Sequence, residues 1–147
     1  MTNYVVTTPS NDVVVGNPLY VEAKTGTSTI KPGMFVRFSD DRTVTIGTAA
    51  NAIGGFALYK ETNPKYQKSA VGSTYDKGDY IAVALAGPCF INAFVDGTVS
   101  AGDPLKPSTG TAGYLAKWTG TSAAEGPVVA VAVKGRNGAG QTMVLIW

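Results

Sequence analysis

Short apolar runs alternate with clusters of glycine, proline, asparagine and aspartate along almost the whole chain of 147 residues. Valine, isoleucine, threonine and aromatic residues fill the runs, which is typical of β-strands bounded by turns. Glycine or proline interrupts nearly every window that is long enough for an amphipathic helix. The pattern predicts an all-β protein of about ten short strands, at Tyr4–Thr7, Leu19–Ala23, Met34–Phe38, Thr43–Ile46, Ile53–Tyr59, Tyr80–Leu85, Cys89–Val95, Gly113–Trp118, Val128–Lys134 and Thr142–Trp147.

The spacing of these strands indicates a β-sandwich or β-barrel rather than a parallel α/β sheet. A chain of this length is most simply one domain, which we place at residues 18–147. Residues 1–17 form an apolar but loosely patterned N-terminal arm, which joins the domain at Gly16-Asn17-Pro18. Such an arm either starts the sheet or reaches onto a neighbouring subunit.

The arm carries the side chains that we predict to make subunit contacts. Complete burial of one such apolar side chain is worth on the order of 1.5–3 kcal/mol, too much to leave in water. An arm of this kind can add a strand to the sheet edge of a neighbour. The candidate contact residues are Tyr4, Val5, Val6, Val13, Val14 and Val15.

Charge is sparse in this sequence. The net charge is +2, which gives no reason to expect a nucleic-acid or membrane partner. Charged residues make up 15% of the chain, against roughly 25% in ordinary soluble domains. Because a poorly charged surface is a solubility risk unless partners cover it, the composition favours self-association.

Nothing in the sequence indicates a reaction centre. The chain has no histidine, so the usual catalytic triads and the commonest metal ligand are missing. Its one cysteine, Cys89, lies in an apolar run and is interpreted as a buried small hydrophobe. The acidic pairs Asp40-Asp41 and Asp76/Asp79 stand beside turns, where aspartate bonds its own backbone. We therefore expect no enzyme activity, no cofactor and no metal site.

One segment resembles a phosphate-binding loop. Gly135–Thr142 matches G-x-x-x-x-G-K-[ST] except that Gln141 replaces the lysine that reaches the phosphates. Apolar runs at Val128–Lys134 and Thr142–Trp147 flank the segment, whereas a phosphate loop opens a helix. The pattern predicts a β-hairpin.

Aromatic residues among polar neighbours in the sequence suggest a second class of function. Tyr59, Tyr66, Tyr75 and Trp118 could stack on sugar rings or nucleic-acid bases, or could cover the mouth of a barrel. Nearby lysines are diluted by acidic residues, so a structural or partner contact is favoured over nucleic acid. The alternative hypothesis is a carbohydrate- or host-surface-binding module with Tyr66, Tyr75 and Trp118 as its platform.

A weak internal echo links two turn segments. Lys31–Arg37 and Ser100–Lys106 share a glycine, an apolar residue three positions later and a basic residue after it. Two similar hairpin units in one barrel would explain the echo, and so would chance.

Five short motifs resemble the head decoration proteins of tailed bacteriophages, also called capsid cement proteins. The resemblance covers roughly residues 18–147, and the arm lies outside it. Its motifs are Lys-Pro-Gly-x-x-Val at 31–36, Gly-Gly-φ-Ala-Leu at 54–58, Gly-Asp-φ-φ-Ala-Val at 78–83, Ala-Gly-Asp-Pro-Leu at 101–105 and a terminal strand pair at 128–147.

This resemblance implies a compact β-barrel or β-tulip domain that forms a homotrimer on the outer surface of the capsid, as part of the virion. Its partners would be copies of itself and the major capsid protein, whose neighbouring capsomers it would hold together at local three-fold axes. The family has no catalytic residues to transfer.

Overall fold

The computed structural model describes residues 13–16, 18–48, 54–58, 74–122 and 125–147. Within these ranges the chain forms eleven β-strands and no α-helix, which confirms the all-β class. The strands are β1 (Val13–Gly16), β2 (Leu19–Thr25), β3 (Phe35–Asp40), β4 (Thr43–Ile46), β5 (Gly54–Leu58), β6 (Tyr80–Ala86), β7 (Cys89–Val95), β8 (Pro104–Pro107), β9 (Leu115–Lys117), β10 (Ala130–Ala132) and β11 (Gly140–Ile146).

The strands make two successive rings. Strands β2, β4, β3, β5 and β6 close into a barrel, called here the first ring. The remaining strands form one sheet in the order β1-β7-β11-β10-β8-β9, and β9 also pairs with β7 at Val95 and Leu115. The pairing of β9 with β7 therefore closes strands β7 to β11 into the second ring. Strand β1 lies outside this ring and pairs with β7.

The second ring repeats the topology of the first, with every strand number raised by five. The first strand of each ring pairs in parallel with the third, β2 with β4 and β7 with β9. All other ring pairings are antiparallel and recur in the same order. The registers agree as well, because Val21 pairs with Val83 as Ile91 pairs with Val144. The fold is an internal structural duplication.

The turn echo in the sequence marks equivalent positions of the two rings. Gly33 and Gly102 adopt φ angles of 91° and 92°, as the third residue of a type II turn requires. Each turn closes through a 3.1 Å hydrogen bond, from Met34 N to Lys31 O and from Asp103 N to Ser100 O. The two units thus lie in two rings, not in one barrel as the echo first suggested.

Two hydrophobic clusters divide the core. One is built from strands of the first ring and the segments that connect them, and consists of Ala23, Ile30, Val36, Val44, Ala57, Tyr75, Ile81 and Val83. The other contains most of the buried apolar side chains of the second ring together with five residues of the first, namely Phe35, Phe56, Leu58, Ala82 and Ala84. These five alternate along their strands with residues of the first cluster, so one face of the first ring packs against the second.

Strand positions agree closely with the predicted pattern, with two additions. β8 has no counterpart among the predicted strands, and Pro104 and Pro107 stand at its two ends. β1 lies in the segment predicted as an arm, and its pairing with β7 joins the end of that segment to the sheet of its own chain. The predicted strand Tyr4–Thr7 lies outside the described residues, and the domain boundary at residue 17 stays a prediction.

Candidate interaction surface

An exposed apolar patch surrounds the corner between β6 and β7. Leu19 and Tyr20 open β2 with 65% and 63% of their surface exposed, and Trp147 at the chain end is 58% exposed. Leu19 pairs with Ala86 beside the corner, and the backbone of Gly87 lies against the carbonyl of Ile146. Leu85 is 39% exposed and lines one cleft with Trp147. We call the exposed apolar residues at or beside this corner the corner patch, which is Leu19, Tyr20, Leu85 and Trp147.

A small cleft borders the corner patch where the two rings meet. Its volume is about 180 Å³, below the roughly 300–1,000 Å³ of ordinary small-molecule sites. Apolar residues and glycines line it. The lining residues are Phe35, Gly54, Gly55, Phe56, Leu85, Val128, Val129, Ile146 and Trp147. Such a cleft suits contact with another apolar surface.

The first half of β2 also presents a main-chain edge. On the side of β2 away from β6, Lys24 N donates to Arg42 O at 2.7 Å and Gly26 N donates to Val44 O at 2.8 Å. Because backbone groups alternate between the two edges of a strand, Tyr20 presents its N–H and C=O on the same side as Lys24. No described strand pairs with Leu19–Val21 on that side.

The predicted contact residues fall into two groups. Val13, Val14 and Val15 belong to β1, whose register joins Val13 to Ile91 and Val15 to Phe90 within one chain. Tyr4, Val5 and Val6 lie outside the described residues. A contact of either group with another subunit stays a prediction.

The comparisons with known proteins bear on the fold. No protein-family model matches the sequence. No curated protein matches it either. Among solved structures, the chain is similar to the head fiber gp8.5 N base of bacteriophage phi29, with 16% sequence identity and a TM-score of 0.50. The likeness covers 89% of this chain and 95% of that one. The chain shares the fold of a phage head-fiber base.

The aromatic platform predicted as an alternative is wrong at Tyr75. This side chain is completely buried in the first ring, and its hydroxyl donates a 2.6 Å hydrogen bond to the carbonyl of Leu58. Tyrosine is readily buried when its hydroxyl finds such a partner. Trp118 is 36% exposed, whereas Tyr59 and Tyr66 lie outside the described residues. The described residues therefore supply one of the three proposed platform rings.

The loop that resembles a phosphate-binding motif connects β10 to β11, so the predicted hairpin is confirmed. Arg136 reaches back across this loop and donates to the carbonyl of Ala139 at 2.9 Å and to that of Gln141 at 3.2 Å. A phosphate cradle needs N–H groups that converge on an anion. Here carbonyl groups converge on a guanidinium, which leaves the loop with a structural role.

The acidic pairs and the cysteine also have structural roles. Asp41 N bonds the carboxylate of Asp40 at 2.8 Å, and Asp76 N bonds that of Asp79 at 3.1 Å, as expected for turns. Cys89 is 2% exposed, and burial raises the pKa of its thiol. In the described part of the chain, no group of three His, Cys, Asp or Glu side chains could hold a metal ion. No helix among these residues is long and apolar enough to cross a membrane.

One carboxylate organises the surface loop after β9. Glu125 accepts hydrogen bonds from Thr119 N–H and hydroxyl, from Gly120 N at 2.8 Å and from Thr121 N at 3.2 Å. The ammonium of Lys106 lies 3.4 Å from the same carboxylate. Burial alone would raise the pKa of Glu125, but the Thr119 hydrogen bonds and the Lys106 ammonium outweigh it and lower the pKa to about 2.

The hydrogen bonds and the ion pair of Glu125 make the free energy of unfolding depend on pH. The folded protein holds Glu125 ionised well below the ordinary pKa of 4.5, so the stabilisation is present above pH 4.5 and is lost as the pH falls through about 2. Glu125→Gln is expected to lower the free energy of unfolding at pH 7 and to flatten its decline between those two values. Urea unfolding of both proteins from pH 2 to 7 measures this. Parallel pH profiles would show that the carboxylate does not matter.

Proposed function

We propose that this protein is a structural component of a bacteriophage virion. The role is structural rather than catalytic, and it is carried out on the outer surface of the head. One observation carries the proposal, namely the shared fold with the head fiber gp8.5 N base of bacteriophage phi29 over nearly the whole of both chains. The motifs at 31–36 and 101–105, which resemble head decoration proteins, point in the same direction.

The finer part of the proposal concerns assembly. The protein forms a homotrimer that binds the major capsid protein and bridges neighbouring capsomers. Support comes from the sparse charge of 15% and from the corner patch, where two side chains are more than 60% exposed. Large exposed apolar patches mark interaction sites. Many copies on a symmetric shell add their small contact energies, so weak individual contacts suffice for firm attachment.

Self-association and shell binding can be tested separately. Light scattering of the full chain at micromolar concentration is expected to give three times the chain mass of 15.2 kDa. Shells assembled from the major capsid protein of the phage that encodes this chain should sediment with it and rupture at a higher temperature. A protein that stays monomeric at high concentration and does not sediment with the shells would contradict the proposal.

A further inference from the structure

Because the second ring repeats the first, it shows how the edge of β2 at Leu19–Val21, which no described strand pairs, can be covered. Superposing the registers of the two rings makes Leu19–Val21 equivalent to Cys89–Ile91. In the second ring, β1 pairs with this segment through Val15 and Phe90. In the first ring the equivalent of Phe90 is Tyr20, which no described strand covers. Among the described residues, the same strand position is therefore paired in the second ring and unpaired in the first.

Side chains at equivalent positions of β2 and β7 also differ in exposure. Cys89 is 2% exposed whereas its equivalent Leu19 is 65% exposed, and Phe90 is half-buried whereas its equivalent Tyr20 is 63% exposed. The third pair differs less, because Ile91 is completely buried and Val21 is partly buried. An exposed apolar strand with unpaired main-chain groups is a template for strand addition. The edge of Leu19–Val21 thus has both the main-chain groups and the apolar side chains that would receive another strand.

The segment that covers the equivalent position indicates what covers this one. β1 is the last part of an apolar N-terminal segment, and twelve residues precede it. They include Asn3-Tyr4-Val5-Val6, which resembles the Asn11-Asp12-Val13-Val14 that leads into β1. Twelve extended residues reach at most about 40 Å, which is enough to cross to an adjoining subunit.

We propose that Tyr4–Thr7 of a second copy of this chain adds a β-strand to the edge Leu19–Val21 of the first ring. The added strand plays the part that β1 plays on β7, and the apolar side chains of both copies become buried. This inference rests on the proposed self-association and names the surface through which it occurs. Main-chain hydrogen bonds hold such a strand, while alternate side chains determine its register.

A photo-crosslinker tests the occupant directly. Benzoylphenylalanine replaces Tyr20 in the full-length chain, and equal amounts of ¹⁴N and ¹⁵N protein are dissociated, mixed and reassembled before irradiation. Mass spectrometry is expected to find links from position 20 to a peptide within residues 1–12, half of them between light and heavy chains. The same probe at exposed Phe38 is the control and should not link to that peptide.

Two substitutions at one position separate main-chain from side-chain contacts. Tyr20→Pro removes the N–H that faces the open edge, and proline is tolerated on edge strands. It is expected to weaken association at least tenfold, as deletion of residues 1–12 should. Tyr20→Ala keeps the N–H and should weaken association less. Circular dichroism verifies that each variant is folded.

The outcomes distinguish this inference from the proposed function. Trimers whose links from position 20 stay within one chain, or reach other peptides, overturn the strand addition and leave the virion role standing. Trimers that survive both Tyr20→Pro and deletion of residues 1–12 do the same. A full-length chain that remains monomeric overturns the strand addition together with the proposed homotrimer, and failure to sediment with the shells as well overturns the virion role.

Discussion

Gly54→Ala is expected to unfold the protein or to leave only a small fraction folded. Gly54 opens β5 opposite Arg37, and a Cβ atom built on it would overlap the carbonyl oxygen of Val36 and the backbone of Arg37. Because the overlapping atoms of Val36 and Arg37 belong to the backbone, rotation of a side chain cannot relieve the clash. We expect a loss of roughly 4–5 kcal/mol, comparable with the whole stability of a marginal domain.

Gly97→Ala is the matched control for this substitution. Gly97 lies in a bend, and a Cβ atom there would meet nothing within 4 Å. The free energy of unfolding should change by less than about 1 kcal/mol, and the change should be stabilising if the backbone conformation suits alanine. Chemical denaturation monitored by tryptophan fluorescence compares the variants. Equal stability of both variants would mean that β3 and β5 are farther apart than described.

The second large effect is expected for Phe56→Ala. Phe56 is 3% exposed and packs edge-on against Phe35, with ring centroids 5.5 Å apart and an interplanar angle of 69°. The side chains of Phe35 and Phe56 both extend from the first ring of strands into the hydrophobic cluster of the second. Removing a buried phenylalanine costs about 3–5 kcal/mol, which corresponds to a decrease in Tm of roughly 6–20 °C.

Calorimetry of this variant also reports how the two rings are coupled. Since Phe56 joins their cores, its loss should separate one unfolding transition into two, with the second ring unfolding first. Phe38→Ala is the control, because Phe38 lies on β3 but is 37% exposed. Its Tm should fall by only a few degrees. A single unchanged transition for Phe56→Ala would show that the interface between the rings does not depend on this side chain.

Local chemistry explains why much of the fold could be predicted from the sequence. Strands β4 and β7 begin and end at the predicted residues, because branched and aromatic side chains fill them and turn residues bound them. β8 was not among the predicted strands; it is bounded by Pro104 and Pro107, which are turn residues in most contexts. Proline at the ends of a short strand leaves Leu105 and Lys106 free to pair with β9.

The arrangement of the strands was harder to predict, because no local pattern encodes it. The parallel pairings that close each ring join β2 to β4 and β7 to β9, and neither pair is adjacent in the chain. The turn echo at Gly33 and Gly102 was a real signal of the duplication. A clearer one was overlooked: VVVGNPLYVEA at 13–23 and VALAGPCFINA at 83–93 occupy equivalent corners.

The candidate site was only partly visible in the sequence. An apolar N-terminal segment suggested subunit contacts at Val13, Val14 and Val15. The structure pairs the backbone of Val13 and Val15 with β7 of the same chain, and their contact with another subunit stays a prediction. The open edge at Leu19–Val21 has no sequence signature, because the segment reads like any other strand. It becomes recognisable only when its counterpart in the second ring is seen to be covered.

The unequal division of the core has a consequence for the order in which the chain folds during synthesis. Every side chain of the first cluster is available once Val83 has been made, whereas the second cluster also needs Phe35 and Phe56 from the ring already formed. Domains generally fold from the N-terminal side as they emerge from the ribosome. Residues 13–16 are the exception, since β1 must wait for Cys89–Ile91. Although β1 precedes both rings in the chain, it is therefore among the last elements to dock, because its partner strand β7 belongs to the second half of the chain.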